Sequence, residues 1–233
     1  MRRIVVVAIF LAACAPLSAC GSSAKPPHTL RARIVAAGLA QESVHSAWTS
    51  PSDGVIFRAD VNADSGRERA TLVGGDVVEI RLVNDTVYFR GGYEGGQYIG
   101  LTAAQADRYT GRWIAIPRGY RPYSALASSL TFDSIVRHAV PRGRLEKSFT
   151  RRPDGTRLLM LSPPAGAGLT ADPPFAYELT ASARELLPVA SSYYLGGFAK
   201  HGIFASRRFS KWNEPVSVDA PASSTPIATV RAS

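Results

Sequence analysis

The sequence predicts an α+β fold in which an antiparallel sheet is covered on one face by helices. Three observations carry that expectation. The stretch 77–90 alternates apolar and polar residues with period two, interrupted by Asn84-Asp85-Thr86. Short alternating segments separated by Gly, Asp and Ser turns precede it and recur after residue 144. Two segments, 29–44 and 131–140, instead place their apolar residues at helical spacing. A meander with one apolar face needs another layer to cover it, and those helices are available for the purpose.

Taken in order, the chain begins with a segment that is not part of the fold. Met1-Arg2-Arg3 is basic, residues 4–16 are almost wholly apolar, and Leu17-Ser18-Ala19-Cys20 closes the run. A charged start, a short apolar run and small residues before a cut site are the marks of a secretory signal peptide, expected over 1–19. Leu-Ser-Ala-Cys resembles the bacterial lipobox, which implies that Cys20 is diacylated, carries palmitate-type chains and anchors the protein to the outer face of the cell membrane. Leu11-Ala12-Ala13-Cys14 fits the same pattern. Cys20 is preferred because it leaves an apolar region of ordinary length and is followed by a polar tether through residue 28. These are the only two cysteines, so the exported domain has no disulfide and depends on its core. About 200 residues suffice for one core, so a single domain is expected over 29–221.

Residues 29–44 carry Leu30, Ile34, Val35, Leu39 and Val44 as a rough helical stripe. Strands are expected over 46–50, 55–62 and 67–73, with turns at 51–54, 63–66 and 74–75. The 77–90 hairpin then turns Val78, Ile80 and Leu82 inward, in the middle of the meander. Gly91-Gly92 and Gly95-Gly96 mark a flexible crossing. Thr102 and Gln105 have capping-box spacing, starting a helix to about Tyr109 that Gly111 ends. A strand over 112–117 and a loop or single helical turn over 122–129 lead to the 131–140 helix, which stops at Pro141. A second β-region follows: 144–151 and 156–161 about the Pro153-Asp154-Gly155 turn, a Pro/Gly/Ala loop over 163–174, then 177–183, 187–193 and 200–209. The Ser/Thr/Ala/Pro composition of 222–233 predicts a disordered tail.

Charge narrows the partners. Lys and Arg number 27 against 18 Asp and Glu, a formal +9 that falls to +7 once Arg2 and Arg3 leave with the leader. The excess is spread out, densest at Arg151-Arg152, Arg207-Arg208 and Lys211. That distribution is a solvated face in the first instance, an anionic lipid surface in the second, and not the footprint of a nucleic-acid binder. Catalytic and cofactor patterns are missing. The four histidines, His28, His45, His138 and His201, form no metal-ligand spacing, and there is no nucleophile elbow, phosphate loop or dinucleotide fingerprint. Asp60 to Gly66 begins like a calcium loop, but its glycine is one place late and Thr71 stands where the bidentate Glu belongs. Glu42, Ser43 and His45 lie close in sequence but read better as a helix end entering a strand. No enzyme and no cofactor are expected.

Ala106-Asp107-Arg108-Tyr109-Thr110-Gly111-Arg112-Trp113-Ile114 and the closing segment from Phe209 to Val218, together with the order of elements over about 29–221, are similar to actinobacterial lipoproteins of the LolA/LppX/LprG type. The high Arg-to-Lys ratio and abundant Ala fit such a source. The resemblance implies a strongly curved antiparallel half-barrel with helices packed on its concave face, and no binding residue carries over from it. An apolar cleft left between sheet and helix suits a lipid-like amphiphile. The cleft is expected against the 131–140 helix, lined by Phe132, Ile135, Val136 and Val140. The leading function is therefore a cell-envelope lipoprotein that binds or carries such a ligand. The alternative is a scaffold or sensor whose interior is filled by its own side chains and which acts through a protein partner. A surface hydrolase stands third.

Overall fold

A computed structural model describes residues 29–51, 54–164, 175–195 and 203–233. The expected leader, Cys20 and tether lie outside the described residues, as do residues 165–174 of the Pro/Gly/Ala loop and the first residues of the 200–209 segment. The architecture is α+β: one large, open, curled antiparallel sheet with a few short helices over it.

The N-terminal strands are β1 (Ser43–Ser50), β2 (Val55–Asn62), β3 (Gly66–Thr71), β4 (Val77–Val83), β5 (Thr86–Arg90) and β6 (Ile114–Pro117). The later strands are β7 (Glu146–Arg151), β8 (Arg157–Ser162), β9 (Phe175–Ser182), β10 (Pro188–Leu195), β11 (Ile203–Ser210) and β12 (Thr225–Pro226). Their order across the sheet is β12-β6-β5-β4-β3-β2-β1-β11-β10-β9-β8-β7. Two meanders thus meet where β11 pairs with β1, and among the described residues only the short β12–β6 pair is parallel. The hairpin β4–β5 forms as its alternation requires. Asn84 and Asp85 both adopt positive φ, 48° and 58°, which turns the chain in two residues and pairs Val83 with Thr86. It sits toward one side of the sheet rather than at its centre, which lies between β2 and β1. Local alternation fixes nearest-neighbour pairing and carries no information about the return of β11.

The helices are α1 (Leu30–Leu39), α2 (Tyr93–Tyr98), α3 (Ala103–Arg108), α4 (Tyr123–Ser128), α5 (Phe132–His138) and α6 (Ile227–Arg231). The Thr29 hydroxyl caps α1 by accepting from the Ala32 N–H at 3.1 Å. This helix stops well short of Val44, because Ser43 and Val44 pair with Asn62 and Val61 in the sheet. The capping box of α3 is complete: Thr102 Oγ1 accepts from the Gln105 N–H, and Gln105 Oε1 accepts from the Thr102 N–H.

Two expectations are corrected here. The glycine-rich crossing leads into a helix, α2, which takes up Gly95 and Gly96 and has Gly92 as its N-cap. The Asp76 carboxylate accepts the N–H groups of Gly92 and Gly95 at 3.0 and 3.1 Å, and a Cβ on Gly96 would come within 2.8 Å of the Ala106 Cβ. The glycines thus permit close packing of α2 on α3 rather than flexibility. The expected disordered tail, 222–233, is ordered. The Thr225 N–H donates to the Trp113 carbonyl at 2.9 Å, and Ile227 and Val230 of α6 are wholly buried. Averaged composition hides two apolar residues three apart, which are all that a one-turn helix needs to plug an existing groove.

The concave face carries two apolar clusters. One joins Val78, Ile80, Val87, Phe89 and Ile116 to side chains of α3, α4 and α6. The other joins Val44, Val61, Leu161, Leu179 and Phe209 to α1 and α5.

Candidate functional site

Strand register places the site. One row of inward-facing residues crosses the sheet from β11 to β4 as Arg207, Trp48, Phe57, Ala70 and Val78. The next row runs Phe209, Ser46, Ala59, Glu68 and Ile80. Above these rows α4 packs on the sheet cluster through Tyr123, Leu126 and Ala127 but leaves a space beside Ala125, Leu126 and Ser129. A cleft of about 300 Å³ remains, floored by Trp48, Phe57, Val78 and Ile80 and edged by Leu72, Leu126 and Tyr98. Trp48 and Phe57 meet edge-to-face with ring centroids 5.1 Å apart.

Two ionisable groups enter this apolar surface from the sheet. Glu68 is only 7% exposed. Burial pushes its carboxyl up to about 7, against the opposing pull of the Arg207 charge and the Ser129 hydroxyl. Arg207 lines the cleft from β11, and its Nε is buried with no hydrogen-bond partner. Among the described residues neither group takes part in an ion pair of 4.0 Å or less. A guanidinium with an orphaned donor beside a carboxyl that burial raises to about 7 is polar capacity held in reserve.

The expected cleft residues are elsewhere. Phe132, Ile135, Val136 and Val140 are buried in the cluster beneath α1 and α5, and none of them lines the cleft. Helix α1 crosses α5 so closely that a Cβ on Gly38 would meet Val136 Cγ1 at 2.7 Å. The apolar stripe on α5 faces inward, into the cluster it shares with α1 and the sheet. Glu68 and Arg207 were missed, although a signal existed. Arg67-Glu68-Arg69 and Arg207-Arg208 put charges on consecutive strand positions, and a period-two strand must then turn one of them inward. Cys20 lies outside the described residues.

The outer face carries a different constellation. A groove of about 590 Å³ is lined by His45, Asp60, Arg58, Arg152 and Arg208. His45 Nδ1 lies 2.6 Å from Asp60 Oδ1, and Asp60 Oδ2 accepts from Arg67 Nε at 2.7 Å. Ser210 is the cross-strand neighbour of His45, so Ser, His and Asp stand in register on three strands. They are not joined as a catalytic relay, because His45 Nε2 is buried without a hydrogen-bond partner. Among the described residues no three His, Cys, Asp or Glu side chains converge on a metal-sized site.

No family model matches the sequence, and no curated protein matches it. Solved structures resemble the fold. A crystal structure of MucB has a TM-score of 0.42 at 14% identity, covering 83% of this chain and 62% of that one. The MucA/MucB complex of Pseudomonas aeruginosa gives 0.39 at 16% identity, covering 79% and 55%. A LolA superfamily protein from Nitrosomonas europaea gives 0.28 at 12% identity, covering 82% and 93%. The chain therefore spans less than two thirds of the MucB chains it matches.

Proposed function

We propose that this protein binds a lipid-like amphiphile non-covalently in the cleft between β1–β4 and α4, as an exported lipoprotein held at the membrane through Cys20. The cleft itself supports the reading: Trp48, Phe57, Leu72, Val78, Ile80 and Leu126 offer an apolar trough, open on one side, with two convergent polar groups. Burial of an alkyl chain contributes roughly 25 cal/mol per Å² of apolar area before the costs of association. No chemical step is required, so the role is binding or carriage rather than catalysis. An acyl anchor on Cys20 would keep the cleft close to a supply of such ligands. One chain holds only marginally and two hold stably.

The test is uptake of a fluorescent fatty acid or phospholipid by the purified protein and by Leu72→Trp, which fills the trough from its edge. Wild type should bind, and Leu72→Trp should bind at least about tenfold more weakly with an unchanged circular-dichroism spectrum. Wild type that takes up no amphiphile overturns the reading in favour of a scaffold or sensor acting through a protein partner. Separately, Cys20→Ser should move the protein from the membrane fraction to the soluble one, while Cys14→Ser should not.

A further inference from the structure

Resting on that binding reading, we infer that the ligand carries an anionic head, a carboxylate, sulfate or phosphate, which seats on Arg207 while its alkyl chain lies along Phe57, Val78 and Ile80 toward α4. Three observations meet at this point. Arg207 is set in the cleft wall beside Trp48, its register partner. Its buried Nε lacks an acceptor, and among the described residues no carboxylate neutralises it within 4.0 Å. The surface leading away from it, through Phe57 and Ala70 to Val78, is apolar. Arg207 is half-buried, but its Nε is buried and unpaired; such a donor is costly unless an acceptor arrives, and an anionic head supplies the charge-assisted bond that the protein leaves unmade.

Glu68 then governs when the anion is accepted. Arg207 from β11 and Tyr98 from α2 are the ionisable groups that share the cleft with it. Arg58, Asp60, Arg67, Arg69, Glu79 and Arg81 line the opposite face of the same strands. With its carboxyl raised to about 7 by burial, Glu68 is neutral in mildly acidic solution and leaves the Arg207 charge to the ligand. As pH rises through 7 it ionises, repels the incoming anion and competes for the guanidinium. Affinity for an anionic amphiphile is therefore greatest below pH 7 and falls above it, whereas affinity for a neutral amphiphile does not follow that course.

Calorimetric titration at pH 6.0 and pH 8.5 tests this with decyl sulfate, which stays ionised throughout, and 1-decanoylglycerol, both below the concentrations at which they aggregate. Inorganic sulfate is titrated alone. Decyl sulfate should bind about tenfold more tightly than the glyceride at pH 6.0 and lose most of that advantage at pH 8.5. Arg207→Gln should abolish the preference and Arg207→Lys should keep part of it. Glu68→Gln should preserve tight sulfate binding at pH 8.5. If neither amphiphile binds, the cleft reading itself fails. If the glyceride binds as tightly as decyl sulfate, or Arg207→Gln keeps the preference, the cleft stands and the anionic head is wrong. If inorganic sulfate alone matches decyl sulfate, the occupant is a free anion and the amphiphile assignment is overturned.

Discussion

Beneath α1 and α5 the inner face of the sheet is covered by closely packed apolar side chains; beside α4 a cleft remains. The two surfaces draw on the same apolar residue types, so hydrophobicity does not explain the difference. In the filled half Val136 of α5 presses into the space that a side chain at residue 38 would occupy, and Leu161, Leu179 and Phe209 rise to meet it. In the open half the sheet offers Glu68 and Arg207, and the helical side offers the small Ala125 and Ser129 beside Leu126 and Tyr98. A bulky apolar roof there would strand two ionisable groups away from water, at several kcal/mol each. The contrast teaches that inward-facing charge, more than missing apolar volume, keeps this cleft open.

That contrast is open to direct attack. The largest effect should come from truncating one leucine in each half. Leu179→Ala, in the filled half, should cost about 4 kcal/mol in denaturant unfolding, because a closed cavity is left behind. Leu126→Ala should cost about 2 kcal/mol, since that side chain already borders the cleft. Equal costs would erase the distinction between the halves.

Next comes the pH dependence of stability. The folded Glu68 carboxyl titrates near 7 against an ordinary value of 4.5. The folded state therefore holds its proton more tightly than the unfolded chain does. The stability linked to this group is fully present below about 4.5 and is lost as pH rises through 7. Glu68→Gln should remove that slope and stabilise the protein by about 3 kcal/mol at pH 8, as read by urea unfolding across pH 5 to 8. A stability profile identical in wild type and variant would show that Glu68 is hydrated rather than buried.

The smallest effect concerns the supports of the open half. Thr102→Ala breaks the capping box of α3 and should cost about 1 kcal/mol. Helix α3 carries α2 through the close Gly96–Ala106 contact, and α2 brings Tyr98 to the cleft. Amide exchange should quicken in α2 and α3 and stay unchanged in α1 and α5. Loosening that spread equally through both halves would mean they melt as one unit.

Much of this architecture was legible from local chemistry. The hairpin announced itself through Val78, Ile80 and Leu82 alternating with Glu79 and Arg81, and all three apolar residues are buried. The α3 cap was visible as Thr102 and Gln105 at the right spacing. The apolar stripe of α5 identified its inward face but not what that face would touch. A stripe reports burial alike against a cavity wall and against another helix, and Gly38 decided the matter from almost a hundred residues away. Glu68 and Arg207 were obscured because their neighbours are charged too, so composition alone reads the segments as solvated strands. The tail was misjudged because Ile227 and Val230 are diluted by Ser, Thr, Ala and Pro.

The pairing of β1 with β11 has a kinetic consequence. The contact between Thr49 and Ser206 closes a separation of 157 residues, whereas the first meander, β1 to β6, is assembled from near neighbours. The first meander can therefore form early, but until β11 arrives it ends in a bare strand edge at β1, whose backbone donors and acceptors will pair with any extended chain at hand. Because high contact order slows folding, that exposure is prolonged. Refolding yield should accordingly fall with protein concentration, through association at the β1 edge before the second meander docks.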